Sequence, residues 1–318
     1  MITSTSGRFL FVLVLAFAIV CQAHWLLAQT ASPPELSATM INVNSRATQG
    51  DAHLIQTAEG NTILIDTGAV GYAEREFIPA LKKKGIRKID AVFITHPHYD
   101  HNGGMVPLLR SGIKIGAIYM DEIAPAWFQR EWWGGKAEDI QAIVDTAQQK
   151  KVPIIAHSQW QEFKLSDKYR LRKIMCLRSF EPGDESDVGD MNDMSLVAVL
   201  MRNEQALILY AGDVNVKSGN KLKAENLLGF PCEILKFPHH GAESWGGEEA
   251  FEGVKPKIIF YPAPASIWNT PRCDRARKFA KKLGAQVYSN AEDGTVTFNF
   301  FQDGAMIVET NRVSPRKQ

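Results

Sequence analysis

The sequence predicts an α/β fold in which sheets are covered by helices, and three features carry that prediction. Short apolar runs with strand character outnumber helical segments, yet the two kinds are interspersed, an order that lays helices on sheet faces. The run Asp90 to Thr95 is almost continuously apolar, as expected of a strand buried on both faces. The 318 residues, 45% of them hydrophobic, suit one large core or two small ones; residues 32–318 are read as one domain.

Each element follows from local pattern. Ser37–Val43, Ala52–Thr57 and Thr62–Asp66 read as strands, with Glu59-Gly60-Asn61 as the turn of a hairpin. Ala73–Lys84 reads as a helix stopped by Gly85, and Met105–Arg110 as a short helix closed by Gly112. Ile113–Met120 reads as a strand. Residues 121–151 hold Trp127, Trp132 and Trp133 and a helix over Ala137–Lys151; the tryptophans either form a lid over a pocket or pack an extra helix onto the core. Strands follow at Val152–Ala156, Tyr169–Leu177, Ser195–Met201, Gln205–Tyr210, Glu233–Phe237 and Lys257–Tyr261, with an acidic loop over Glu181–Asp193. Pro271–Leu283 reads as a helix with Thr270 as N-cap and Gly284 as stop. Gln286–Ser289, Thr295–Phe301 and Ala305–Glu309 complete the strands.

The first 31 residues stand apart. Arg8 is their one charged side chain, and it precedes the apolar run Phe9–Val20, with Ala23, Ala28 and Ala31 beyond. This reads as a secretory signal, the alternative being an uncleaved anchor through Trp25–Ala28. The protein is therefore expected to be exported, periplasmic or secreted. Cys21 is a poor lipid-attachment site, because Val20 precedes it. Lys plus Arg number 36 against 35 acidic residues, so removing the Arg8 segment leaves a formally neutral chain. That balance offers no basic footprint for a nucleic acid, and no obligate protein partner is inferred. Of four cysteines, Cys176, Cys232 and Cys273 lie beyond the leader, none in a Cys-x-x-Cys pair, and buried structural thiols are expected rather than a thiolate zinc site.

The chemistry concentrates in His96-Pro97-His98-Tyr99-Asp100-His101, which directly follows the buried Asp90–Thr95 strand. Imidazole and carboxylate together are ligands for zinc-like ions. On a tight turn, His96 and His98 point one way and Asp100 and His101 another, which serves two adjacent ions better than one. Asp213, in Tyr210-Ala211-Gly212-Asp213, and the pair His239-His240 before Gly241 each end an apolar strand, where sites on such sheets gather. A Gly-Asp pair alone is most often a turn. The three segments together are a strong signal.

In this pattern the chain resembles the metallo-β-lactamase superfamily, with its His-x-His-x-Asp-His signature. More closely, it resembles the hydrolase-like domain of ComEC-type competence proteins and their free-standing relatives. The likeness runs from about Met40 to Val308 through Gln49–Ala52, Thr62–Gly68, Thr95–Gly104, Asn192–Val197, Gly212-Asp213, Leu235–Gly241 and Glu292–Gly294. It implies a four-layer αβ/βα sandwich and a dinuclear site holding two divalent ions, zinc first, with manganese or iron as alternatives. It further implies that His96 and His98 bind one metal and that Asp100, His101 and His240 bind the other, with Asp213 bridging. His239 is then the less settled of its pair, a substrate contact if His240 ligates. Asp66 is implied as a residue that holds the metal loop. Asn192, with Ser195, matches the family's Asn-x-x-Ser segment, as a ligand or substrate contact or else as an asparagine that orders its loop. His157 aligns with a strand instead of a ligand position and is read as a surface or hairpin histidine.

The implied reaction is hydrolysis by a metal-bridging hydroxide that Asp100 orients, with His239 or Asn192 donating to the developing oxyanion. The resemblance favours a phosphodiester substrate, in a nucleic acid or an envelope phosphoester. β-Lactam or lactone hydrolysis is the alternative; a non-catalytic binding protein or a DNA-uptake accessory factor is the alternative from another class. The family's late Ser-x-Gly and Asn-x-Tyr-Gly-His-Pro stretches are not kept, for this chain has Tyr261-Pro262-Ala263-Pro264 and Trp268-Asn269-Thr270-Pro271.

Overall fold

The computed structural model describes residues 32–43, 49–69, 71–178, 182–183 and 188–312. The expected leader, with Cys21, and part of the acidic 181–193 loop lie outside these residues. Seventeen strands follow one another among them: β1 Leu36–Met40, β2 His53–Thr57, β3 Thr62–Ile65, β4 Lys88–Ile89, β5 Ala91–Phe93, β6 Lys114–Ile115, β7 Ile118–Tyr119, β8 Ile154–Ile155, β9 Glu162–Lys164, β10 Tyr169–Met175, β11 Val197–Arg202, β12 Gln205–Tyr210, β13 Ile234–Lys236, β14 Ile258–Tyr261, β15 Gln286–Ser289, β16 Val296–Phe300 and β17 Met306–Thr310.

They form two large mixed sheets, ordered β17-β16-β1-β2-β3-β5-β7-β8 and β15-β14-β13-β12-β11-β10-β9, and a small β4-β6 pair. Each large sheet has an antiparallel side and a parallel side: β3, β5, β7 and β8 run parallel in the first, β12 to β15 in the second.

Period two along the strands explains the layers. In β3, Ile63 and Ile65 join an apolar layer with Leu200, Ile208 and Phe260 of the other sheet, so this core lies between the sheets. Leu64 points the opposite way, into a second core with Leu81, Leu108 and Ile143 from helices. β5 repeats the pattern, Ala91 and Phe93 inward and Val92 outward. Both faces of the parallel strands are therefore covered, as the apolar run Asp90–Thr95 requires. The αβ/βα sandwich is the observed architecture.

Several expectations need correction. The Ile113–Met120 run is not one strand: β6 pairs β4 and β7 pairs β5, with a break at Gly116, where a Cβ would meet the Asp90 carbonyl at 2.3 Å. The Ala73–Lys84 helix begins as a π-helical turn over Ala73–Phe77 and becomes α-helical at Ile78. Thr270 does not cap its helix: its hydroxyl donates to the Ile267 carbonyl, and a 3₁₀ turn over Pro271–Cys273 precedes the helix Asp274–Leu283. His157 is not on the surface. It is 1% exposed, its Nε2 is 2.8 Å from the Ile94 carbonyl and its Nδ1 accepts from Trp160 Nε1, a packing role. Cys232 and Cys273 are buried and unpaired as expected, whereas Cys176 is only half-buried. Trp127 is a fully buried packing residue, while Trp132 and Trp133 are 77% and 55% exposed.

Candidate metal centre

The loops that leave β3, β5, β12 and β13 converge at one end of the two sheets. The first sheet brings Asp66 after β3, and His96, His98, Asp100 and His101 after β5; the second brings Asp213 after β12, and His239 and His240 after β13. Asp100 and His101 lie on a single helical turn, Tyr99–Asn102, so the signature is half loop and half helix.

Asp66 is the anchor of this arrangement. Its Oδ1 accepts from the Thr95 backbone N–H at 2.8 Å, and its Oδ2 accepts from Thr95 Oγ1 at 2.8 Å and from His101 Nδ1 at 2.8 Å. Donating from Nδ1 leaves the lone pair of His101 on Nε2, which lies 3.3 Å from Asp213 Oδ2 and 4.0 Å from Asp100 Oδ2. His240 repeats the logic. Its Nδ1 lies 3.1 Å from the Pro262 carbonyl and 3.2 Å from Asp51 Oδ1, while Nε2 faces Asp213 Oδ2 at 3.1 Å and Asp100 Oδ2 at 3.4 Å. Asp100, His101, Asp213 and His240 thus bring four buried ligand atoms within 4.8 Å of one another. A second such group joins Asp51, Asp66 and His101.

His96 sits beside this cluster. Thr95 Oγ1 donates its one hydrogen bond to Asp66, so at 3.1 Å from His96 Nδ1 it accepts, and His96 Nε2 carries the lone pair. That nitrogen is 3.2 Å from His98 Nδ1.

The electrostatics follow from burial and carboxylates. Burial works against charge on His101 and His240, but Asp213, with Asp66 and Asp100 around His101 and Asp51 and Asp100 around His240, outweighs it and raises both well above the usual imidazole range. Burial and the charges of His101 and His98 push His96 well below that range. Asp213 is held well below the carboxylate range: burial opposes this, and His240, His101 and Lys236 prevail.

His239 and His240 both occupy left-handed backbone, φ 49° and 54°, sparsely populated for such residues and a recurrent mark of functional turns. The turn sends the two rings apart. His240 is fully buried in the cluster, whereas His239 is partly exposed on the cleft wall, 2.6 Å from Ser244 Oγ, with its titration pushed down to about 4 by burial. Asn192 lies in a 3₁₀ turn, Met191–Met194, that also lines the cleft, and its Oδ1 is buried without a hydrogen-bond partner. Ser195 accepts from the Asp213 backbone N–H at 2.9 Å. The cleft, of about 430 Å³, is lined by His98, Asp100, Asn192, Asp213 and His239, with Trp133 and Arg272 at its walls.

Three site residues were not singled out from the sequence: Lys236, Asp51 and Glu131. Lys236 is 1% exposed, is paired with Asp51, donates to the Gly212 carbonyl at 2.7 Å and lies 3.5 Å from Asp213 Oδ1. A lysine inside the apolar stretch Ile234-Leu235-Lys236-Phe237 was itself the available signal, since a charge in a buried strand needs a counterion. Glu131, 2% exposed, lies 3.4 Å from His98 Nε2.

Residues 45–167 match the metallo-beta-lactamase superfamily model. Over 280 residues the chain is 22% identical to ComE operon protein 3 of Bacillus subtilis (strain 168), covering 80% of this chain and 33% of that protein. Over 211 residues it is 22% identical to competence protein ComA of Neisseria gonorrhoeae, covering 66% of this chain and 25% of that one. The chain therefore spans a third or less of the length of these relatives. Among solved structures, Igni18, a metallo hydrolase from Ignicoccus hospitalis KIN4/I, aligns at TM-score 0.48 with 16% identity over 83% of this chain and 99% of that one. Zn(2+)-bound PqqB from Methylobacterium extorquens aligns at 0.44 with 12% identity, over 79% and 89%. The match of residues 45–167 is thus to the metallo-beta-lactamase superfamily, the family whose His-x-His-x-Asp-His signature the loop after β5 resembles.

Proposed function

We propose that the chain is a metal-dependent phosphodiester hydrolase, acting on a nucleic acid strand or an envelope phosphoester. One observation carries the reading: His101 Nε2 and His240 Nε2, both without a hydrogen-bond partner, share a buried space with two carboxylate oxygens. Acceptors crowded in this way, with their other ring nitrogens already donating, fit a divalent cation. His96 and His98 would hold one ion and Asp100, His101 and His240 the other, with Asp213 shared between them; zinc suits the nitrogen and carboxylate donors, as do manganese and iron. Such ions lower the pKa of a bound water from about 15.7 to near 7 and stabilise charge on the attacked group.

The chain's own residues supply the rest. Asp66 and Thr95 lock the metal loop. His239, held in place by Ser244, is available to donate to a substrate oxygen, and Asn192 projects a polar side chain into the same cleft. Arg272, whose Nε lies 3.5 Å from Glu243, lines the cleft and supports an anionic substrate. The resemblance to ComEC-type domains supports a phosphodiester. The apolar segment after Arg8 supports export, and N-terminal sequencing of the mature protein checks it.

The test is hydrolysis of bis-p-nitrophenyl phosphate, single-stranded DNA, a β-lactam and a lactone by the full chain, with and without chelator. Chelator-sensitive turnover of the diesters is expected, abolished by His98→Ala or Asp213→Ala with the fold retained. Turnover confined to the β-lactam or lactone would move the assignment to carbonyl chemistry, and a folded chain that takes up no transition metal would end it.

A further inference from the structure

We infer that Glu131, carried by the tryptophan-rich insert, is a positioning residue for the His96–His98 half of the metal centre. This rests on the metal-binding reading above. Glu131 follows the helix Pro125–Arg130, and its carboxylate accepts from the Met191 backbone N–H at 3.0 and 3.2 Å while Oε2 faces His98 Nε2 at 3.4 Å. An ionised carboxylate only accepts, so His98 places its proton on Nε2 and bares the lone pair of Nδ1. His96, donating from Nδ1 to Thr95 Oγ1, bares Nε2. The two bare nitrogens are 3.2 Å apart, and each is fixed by its opposite edge.

A further contact shows the segment closing on this ring. Gly134 lies so near that a Cβ there would be 2.4 Å from His98 Cδ2 and 2.6 Å from His98 Nε2, against the imidazole edge that meets Glu131. By holding Met191, Glu131 also sets the turn whose next residue, Asn192, projects its unpartnered Oδ1. Glu131 therefore selects the tautomer of His98 and ties the Asn192 turn to it, the outer role that carboxylates play behind metal-bound histidines. The remaining reading, a carboxylate that merely satisfies the Met191 N–H, makes no demand on His98.

Two measurements separate these readings. Long-range ¹⁵N–¹H correlation of histidine-labelled, chelator-treated wild-type protein at pH 8 reports the His98 tautomer directly; a proton on Nε2 is expected, and a proton on Nδ1 overturns the inference. Cobalt(II) titration, followed by absorbance and chelator competition, should show two ions in wild type. In Glu131→Ala, affinity for one of the two should fall about 10- to 100-fold with the other retained. Glu131→Gln, which keeps an acceptor oxygen, should restore part of that loss. A Glu131→Ala protein that binds both ions as tightly as wild type overturns the inference and leaves the metal reading standing. Wild type that binds no cobalt ends the metal reading, and the tautomer still judges the placement of His98. If Glu131→Ala does not fold, the wild-type tautomer decides.

Discussion

Replacing Lys236 with methionine probes how charge is balanced inside the site. The ammonium stays charged because Asp51 and Asp213 outweigh the burial that opposes it, and Asp51 in turn is held well below the carboxylate range, against its own burial, chiefly by Lys236 and then His240. Methionine keeps most of the stem's volume and removes the charge, leaving Asp51 buried with three imidazoles as its ion-pair partners: His240 Nδ1 at 3.2 Å, His53 Nε2 at 3.5 Å and His101 Nδ1 at 4.0 Å. Breaking one member out of a buried ion pair costs about 3–5 kcal/mol, a large part of a typical stability of roughly 5–15 kcal/mol. At about 2.1 cal/mol/K per residue, the roughly 270 described residues give an unfolding entropy near ~0.6 kcal/mol/K, so Tm should fall by about 5–9 °C. The assay is calorimetry of chelator-treated wild type, Lys236→Met and the double variant Asp51→Asn/Lys236→Met. The double variant should recover at least half of the loss, because its uncompensated carboxylate is gone. A Lys236→Met protein melting within about 2 °C of wild type would refute the charge-balance reasoning.

Other outcomes follow from the same contacts. Asp66→Ala removes the acceptor shared by Thr95 N, Thr95 Oγ1 and His101 Nδ1, and chelator competition should show metal affinity lowered about 10- to 100-fold. Trp133→Ala removes an exposed ring from the cleft wall; stability should change by less than ~0.5 kcal/mol, and KM for a diester bearing an aromatic group should rise with kcat kept. A fall in kcat at constant KM would count against a binding role for Trp133. In metal-free protein, His101 and His240 have folded pKa values above their unfolded ~6.5, so their contribution is present below that pH and is lost as pH rises through the folded values. Asp51 and Asp213, depressed, contribute above about 3.9 and lose it as pH falls through their folded values. Tm of the chelated protein should therefore be higher at pH 6 than at pH 9, and the gain from added zinc should grow with pH because bound imidazoles must be deprotonated. A metal-free Tm that rises from pH 6 to pH 9 would contradict this assignment.

The sequence was informative where structure is local. Strands buried on both faces announce themselves as apolar runs, so β5, β12 and β14 were readable within a residue or two at each end. The polar helix Val216–Ala224 has too weak an apolar stripe to stand out, and it is held by tertiary contact: its Ser218 N–H and hydroxyl both donate to Asp193 Oδ1. The histidine loop was visible because its donors fall within six positions. Glu131 was not, since its meaning comes from His98, 33 positions away, and from Met191, 60 positions away. The Trp-rich insert could be read as lid or packing, and the structure divides it: Trp127 packs, Trp133 borders the cleft and Glu131 reaches the histidines.

The inter-sheet layer changes character toward the site, and that change explains why the metal residues come from both sheets. Away from it the layer is apolar, with Ile55, Phe93, Leu200 and Phe260 among its members, and is stabilised by burial alone. At the strand ends it becomes a polar chain: Asp66 to His101, His101 to Asp213 and Asp213 to His240, with Asp51 meeting Lys236 across the same gap. A buried polar network with unmatched acceptors is worse than an apolar core, so this edge gains stability only when positive charge sits among the carboxylates and imidazoles. Protons on His101 and His240 meet that need partly, yet each such proton occupies a nitrogen that a ligand must present bare. Divalent ions would meet it more fully, held by residues from both sheets. On the proposed reading, metal uptake at this edge would strengthen the docking of one sheet on the other through the same residues that would perform hydrolysis.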